Sequence, residues 1–196
     1  MAQDNWLVVG LGNPGAQYEA TRHNVGQMAL DVLAARIGAG FGSHRSNARV
    51  AEGWLRPGGP KLILAKPNSY MNTSGGPVSS LVSYFGIEPD HVIVLHDELD
   101  IPFDTIKLKQ GGGHGGHNGL RDIAKALGTP EFLRVRIGVG RPPGRQDPAD
   151  YVLKPFASTE RDALAVLLED AADAAEQLAD EGLLAAQQRF HGRDAK

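Results

Sequence analysis

His91 to Gly119 reads HVIVLHDELDIPFDTIKLKQGGGHGGHNG, and the class of fold follows from it. The apolar, β-branched run from His91 to Leu95 predicts a buried strand. Asp97, Glu98 and Asp100 crowd its end, where open α/β sheets place their binding crevices. A short alternating segment, Thr105 to Lys109, predicts a second strand. Gly111 to Gly119 then packs six glycines, His114, His117 and Asn118 into nine residues before a helix from Leu120 to Leu127. Flexible linkers are Gly/Ser-rich and otherwise bland. A backbone stripped of Cβ atoms, but studded with imidazoles and an amide, lets something large come close.

Outward from that stretch, strands and helices alternate. Upstream, Trp6 to Val9 predicts a buried strand and Val25 to Ile37 an amphipathic helix. Ser43 to Asn47 reads as a polar loop. Arg49 to Arg56 and Lys61 to Lys66 read as an antiparallel hairpin about Pro57-Gly58-Gly59-Pro60. KPNSYMNTSG is a loop, followed by a helix from Ser74 or Gly75 to Phe85-Gly86. Downstream, Leu133 to Val139 predicts a strand in which Arg134 and Arg136 alternate with apolar residues. Arg141 to Arg145 reads as a surface flap. An Ala- and acid-rich helix runs from Thr159 to about Asp180, opened by a Thr159/Asp162 capping box, and a short one runs from Leu183 to Phe190. No repeat or linker divides two cores. The expectation is one α/β domain spanning residues 1–196, a twisted mixed β-sheet with helices on both faces and a C-terminal helical segment over about 159–190.

The bulk numbers narrow the chemistry. There is no cysteine in the 196 residues, so disulfides, thiolate metal sites and Cys nucleophiles are excluded. No signal peptide or membrane-spanning run is evident, which makes a cytoplasmic protein the expectation. The net charge of −3 conceals an asymmetry. Residues 1–158 hold sixteen basic against fourteen acidic side chains, and residues 159–196 hold four against nine. Between 107 and 145, eight basic residues face two acidic ones around the glycine-rich loop, which points to a polyanionic ligand with a phosphate backbone.

Gly10-Leu11-Gly12-Asn13-Pro14-Gly15 has the spacing of a dinucleotide loop. In that loop, however, the glycines open a helix directly and an acidic residue follows about 20 positions on. Here Asn-Pro-Gly reads as a turn, the helix starts some ten residues later, and the acidic residue is missing. Thr21-Arg22-His23-Asn24 precedes that helix. A loop imidazole such as His23 paired with a strand-end carboxylate such as Asp97 would have a fixed tautomer and a stabilised imidazolium. Whether the two meet across the intervening chain is not legible. His114 and His117 with His96 and Asp97 have metal-ligand chemistry, but a glycine loop positions ligands poorly and no HExxH spacing accompanies them. No GxSxG elbow is present, so a hydrolytic nucleophile would be water. Asn13, Asn72 and Asn118 sit in turn-forming loops at strand ends, where neutral amides can read a peptide group or hold an oxyanion.

Five collinear blocks, GLGNPGAQYEATRHNVG, KPNSYMNTSG, HDELD, GGGHGGHNGLRDI and RVRIGVGRP, resemble bacterial peptidyl-tRNA hydrolase over nearly the whole chain; the last residues, GRDAK, match nothing. The resemblance implies a monomeric, cofactor-free and metal-free esterase that cleaves a peptide from the terminal ribose of tRNA. It implies that His23 is the base that activates water, with Asp97 orienting it and Asn72 holding the water. Asn13, Met71, Asn72 and Asn118 would wall the peptide and the attacked carbonyl, Tyr18 and His117 would support the cleft, and Lys107, Lys109 and Arg136 would grip the tRNA's terminal phosphate. A non-catalytic RNA-binding protein on the same scaffold is the alternative from another class, and a nicotinamide enzyme stands third.

Overall fold

The computed structural model describes residues 4–191; the GRDAK tail lies outside the described residues. Seven strands form one sheet in the order β2-β3-β4-β1-β5-β7-β6. They are β1 (Asn5–Gly10), β2 (Gly42–His44), β3 (Ala48–Trp54), β4 (Lys61–Pro67), β5 (Val92–Glu98), β6 (Ile106–Gln110) and β7 (Leu133–Gly138). The four central strands are mutually parallel; β3 and β6 run antiparallel to them, and β2 pairs antiparallel with β3 at the outer edge. The mixed sheet expected from the sequence is therefore present.

Strand periodicity divides the core in two. Val8, Leu62, Leu64, Ile93 and Leu95 pack on α1 (Val25–Arg36) and, further along, α5 (Arg161–Glu181). Leu7, Val9, Ile63, Ala65, Val92 and Val94 pack on α2 (Gly75–Phe85) and α3 (Asn118–Leu127). Successive side chains of a strand point to opposite faces, so helices cover both sides, as the continuous apolar runs require. α5 buries Leu167, Ala171, Ala172, Ala174, Ala175 and Leu178. Its acidic face, which reads as solvated in the sequence, supplies Glu169, Asp173 and Glu176 to Arg36 of α1, with Asp173 at 2.7 Å.

Several boundaries differ from expectation for identifiable reasons. The polar Ser43–Asn47 loop contains part of β2, a short edge strand whose backbone pairs with β3 although its side chains carry no apolar signal. The strand expected at His91–Leu95 starts at Val92, because Pro89 opens a 3-10 turn through His91, and runs on to Glu98. His96 and Asp97 are thus strand residues, held by backbone pairing to Arg136 and Ile137. The Thr159/Asp162 capping box is replaced by a single contact two residues earlier: the Ala157 N–H donates to Glu160 Oε1 at 2.8 Å, ahead of a 3-10 turn that leads into α5. After the 141–145 stretch the chain forms α4 (Pro148–Val152), and α6 (Leu183–His191) closes the chain against β6. Among the described residues no helix is long and apolar enough to cross a membrane.

Two glycines bring the carboxyl ends of β1 and β5 against the start of α1. A Cβ on Gly26 would lie 2.1 Å from the Leu95 carbonyl oxygen, and one on Gly10 would lie 2.7 Å from that of Gly26. Only glycine permits this approach. The GxGxxG spacing at Gly10 therefore serves helix–strand packing. The turn after it, in which a Cβ on Gly12 would meet the Asn24 side chain at 2.7 Å, leads to no helix until residue 22.

Candidate active site

The parallel strands deliver their carboxyl ends to one edge of the sheet, and the candidate residues gather there, as the crevice rule for α/β sheets requires. Asp97 shares the parity of Ile93 and Leu95, so it leaves β5 on the α1 side. His23, in the 3-10 turn Arg22–Asn24 just ahead of α1, meets it: Nδ1 lies 2.8 Å from Asp97 Oδ2. The other carboxylate oxygen is 2.8 Å from Nε2 of His117, the N-cap of α3. The contact spans 74 residues of chain, a distance over which sequence pattern carries no information.

Hydrogen-bond chemistry assigns the tautomers. An ionised carboxylate only accepts, so His23 donates from Nδ1–H and keeps Nε2 as its basic atom. His117 donates from Nε2–H while its Nδ1 accepts from the Leu120 N–H at 3.4 Å, capping the helix. Burial opposes the charge on His23, but the adjoining Asp97 carboxylate outweighs it and raises the pKa above 6.5. Burial alone would raise the Asp97 pKa; the two imidazoles reverse this and hold it far below the usual carboxylate range. Behind this corner His96 is 1% exposed, and its Nδ1 is 2.8 Å from the Asp97 carbonyl oxygen. Burial first, then the neighbouring His117 and Arg134, lower its pKa to about 3.

The corner opens on a cleft of about 630 Å³, whose lining includes Asn13, Met71, Asn72, Asn118 and Glu98. Asn13 Oδ1 accepts from the Met71 N–H at 2.7 Å, which leaves its NH2 as the group it can present. Asn118 Oδ1 likewise accepts from Arg121 Nη2 at 2.5 Å. Asn72 is exposed in the 3-10 turn Met71–Thr73. α2, which follows this turn, has its first N–H bonded to Asp122 of α3 at 2.7 Å. Tyr18 stands apart from the cleft lining and reaches it through an edge-on contact with Tyr70, at 6.4 Å between ring centroids. Lys107, Lys109 and Arg136 lie outside the cleft on the β6–β7 ladder, where Arg136 Nε donates to Glu98 Oε1 at 3.2 Å.

Some supporting residues are visible only in the structure. Buried Asn24 accepts from the Asn13 N–H at 2.9 Å and donates to its carbonyl at 3.0 Å, fixing the loop that carries Asn13. Arg22 donates to the Tyr151 carbonyl at 3.1 Å, pairs with Glu160 at 3.2 Å and lies 3.9 Å over the Tyr151 ring, which pins the turn bearing His23. Pro148, Ala149, Val152 and Leu153 form an apolar wall of the cleft. Its sequence signal is Asp147-Pro148, an N-cap and a first-turn proline, with Asp147 Oδ1 accepting from the Ala149 N–H at 3.0 Å.

Among the described residues His23, Asp97 and His117 form a group able to hold a metal, their ligand atoms lying within 4.8 Å of one another. Both ring nitrogens that face Asp97 are already spent on its oxygens. His114 and His96, which metal chemistry would also recruit, are turned elsewhere: His114 Nδ1 accepts from the Gly116 N–H at 3.0 Å.

Comparison with known proteins identifies the family. Residues 7–196 match the family model described as peptidyl-tRNA hydrolase. A protein named peptidyl-tRNA hydrolase from Pseudarthrobacter chlorophenolicus is 66% identical over 188 residues, which is 96% of each chain. One from Arthrobacter sp. is 63% identical over 96% of this chain and 97% of its own. The crystal structure of peptidyl-tRNA hydrolase from Acinetobacter baumannii superposes with a TM-score of 0.88 at 34% identity, covering 97% of this chain and 96% of that one.

Proposed function

The chain belongs to the peptidyl-tRNA hydrolase family and is a hydrolase, and from that premise we propose that it cleaves the ester joining a peptide to the terminal ribose of tRNA, with water activated by His23 and Asp97. The observation that carries the reading is the 2.8 Å contact between His23 Nδ1 and Asp97 Oδ2, which leaves Nε2 as the base on a cleft walled by asparagine amides.

In this reading Nε2 takes a proton as water attacks the ester carbonyl, and Asp97 stabilises the imidazolium. The carbonyl oxygen becomes an oxyanion that accepts from the Asn72 and Asn118 amides, whose donors carry no charge that would need removing from water. The tetrahedral intermediate then expels the ribose hydroxyl, which receives the proton from Nε2. Asn13 donates its remaining N–H groups to the peptide carbonyl, and Met71 packs beneath it. A site built to bond a peptide amide disfavours the free amine of aminoacyl-tRNA, which would leave those groups unpaired. Lys107, Lys109 and Arg136 hold the terminal phosphate and set register, which is what phosphate contacts do in nucleic-acid recognition. The enzyme acts in the cytoplasm as a monomer, and every step uses the chain's own groups and water.

The test is His23→Ala assayed on an N-blocked aminoacyl-tRNA. Turnover falls to background while tRNA affinity stays within about twofold, since the imidazole contributes to chemistry and not to phosphate contacts. Retained hydrolysis removes His23 as the base. Absence of turnover by the unaltered protein leaves a non-catalytic RNA-binding role.

A further inference from the structure

The β6–β7 ladder carries one cation more than a phosphate grip requires. Its register sets Lys107 opposite Arg136 and Lys109 opposite Arg134, so all four side chains leave one face of the sheet. Three are partly exposed, but Arg134 is 1% exposed. Among the described residues no carboxylate pairs with it. Its Nη1 donates to the Gly113 carbonyl at 2.6 Å, and its Nη2 donates to those of Gly112 at 3.2 Å and Pro130 at 3.1 Å. The guanidinium also lies 4.6 Å over the Phe132 ring.

A buried guanidinium hydrogen-bonded to carbonyls and not to a carboxylate costs stability, which invites a functional account. The carbonyls it holds belong to the glycine-rich loop. Gly111, Gly112, Gly115 and Gly116 all have positive φ, and this stretch has few side chains to keep it in one shape. Four and five residues beyond Gly113, the loop delivers His117 to Asp97 and Asn118 to the cleft. Lys109 also reaches the loop, its Nζ donating to the same Gly113 carbonyl at 3.4 Å. That oxygen is thus shared between a strip cation and the buried guanidinium. Burial together with the nearby Arg136 and Arg134 lowers the Lys109 pKa, the mark of cations gathered without enough anions.

We propose that Arg134 is a positioning residue that couples the phosphate strip to the catalytic wall. An anion that draws Lys109 away from Gly113 leaves the loop seated on the Arg134 fork alone, and in that seat His117 and Asn118 are set for turnover. The terminal phosphate of tRNA then raises kcat as well as affinity. This inference rests on the hydrolase reading above, and it goes further by assigning a catalytic consequence to the phosphate contact.

The experiment compares N-blocked aminoacyl-tRNA with the same substrate stripped of its terminal phosphate by phosphatase. For the unaltered enzyme, stripping lowers kcat about tenfold and also raises KM, the scale expected when a catalytic group is displaced by a fraction of an ångström. Arg134→Lys keeps the charge but cannot span three carbonyls. Its kcat on the intact substrate falls to the stripped level, and stripping then changes only KM. Arg134→Met behaves the same way in kcat and binds the phosphate more weakly. Lys109→Ala, which removes no buried group, abolishes the kcat response in a protein whose core is untouched. A kcat that ignores the phosphate in the unaltered enzyme overturns the proposal, as does a full kcat response in Arg134→Lys. No turnover of either substrate would overturn the hydrolase reading instead.

Discussion

The corner around Asp97 and the face of the β6–β7 ladder are both polar and both sit beside the glycine-rich loop, yet they are built on opposite principles. At the corner every group facing the acid has a partner. Two imidazoles satisfy the two carboxylate oxygens, a helix N–H satisfies the far nitrogen of one imidazole, and the acid is buried. On the ladder, Glu98 answers Arg136, while the hydrogen bonds of buried Arg134 go to backbone carbonyls and not to a carboxylate. In the first arrangement the hydrogen bonds of Asp97 are all supplied by the chain itself, as preorganised catalysis requires. The second, in the function proposed above, is where the polyanion binds. A change at the corner should therefore appear in kcat, and loss of the partly exposed ladder lysines chiefly in affinity and its salt dependence.

The sharpest test of that division is Asp97→Asn. An amide can satisfy one imidazole N–H but not two, and it favours the wrong His23 tautomer. By analogy with orienting acids in hydrolytic triads, kcat should fall by about 10³- to 10⁴-fold. Filter binding should find tRNA affinity within about twofold of the original. A parallel collapse of affinity would break the contrast between the regions. Next in size is the ladder: Lys107→Ala with Lys109→Ala should weaken tRNA binding at least about tenfold at low salt. It should also make the plot of log K against log salt shallower by about 1.4 to 1.8, because two fewer counterions are released. Single-turnover kcat should move less than K does. An unchanged slope removes both lysines from the phosphate contact.

The pH profile comes third. The base must be neutral and its pKa is raised, so kcat should climb with pH through a midpoint above 6.5 and then level off. Removing the charge with Asp97→Asn should carry the midpoint downward in whatever activity remains, each unit being tenfold at a given acid pH. Stability has the opposite sign. Raised in the folded state, His23 contributes stability that is full below its unfolded pKa and is lost as pH rises through the folded one. A midpoint at or below 6.5, measured on the unaltered enzyme, would deny the imidazole its carboxylate.

These tests address contacts that were legible to very different degrees. The strands were readable because β-branched runs such as Val92–Leu95 bury on both faces, and the helices because their apolar spacing fits one turn in 3.6 residues. β2 was not readable, since backbone pairing at an edge leaves no apolar trace. At the site, the sequence offers His23 and Asp97 as a pair by their chemistry and by the family resemblance, without showing that they meet. Their meeting depends on the Gly26 backbone seating against the Leu95 carbonyl, a close approach that no periodicity encodes. Asn24, Arg22 and Arg134 are given no individual role by the sequence, because their roles lie in what they hold, namely the Asn13 loop, the His23 turn and the glycine loop. An arginine in an alternating strand reads as a surface residue until its neighbours cover it. The basic strip was readable, because local charge excess survives without any knowledge of distance.

The smallest prediction asks whether the ladder's edge is held from outside. β6 ends the sheet, and an edge strand presents unpaired backbone groups that natural proteins cover. Here α6 does so with side chains: Gln187 Nε2 donates to the Leu108 carbonyl at 3.0 Å, and His191 Nε2 accepts from the Leu108 N–H at 2.8 Å. Leu108 lies between Lys107 and Lys109, so these bonds brace the backbone from which both ammonium groups project. Gln187→Ala removes one neutral hydrogen bond worth about 1 kcal/mol and should lower Tm by roughly 2–4 °C in a domain of this size. The kcat should stay within about twofold, because the corner is reached through β5 and α3, neither of which Gln187 touches. The phosphate preference should weaken modestly as the lysines lose their fixed spacing. If Tm is unmoved, the edge is held by the apolar packing of α6 alone; if kcat falls with Tm, the two regions are not separable and the contrast drawn here fails at its weakest joint.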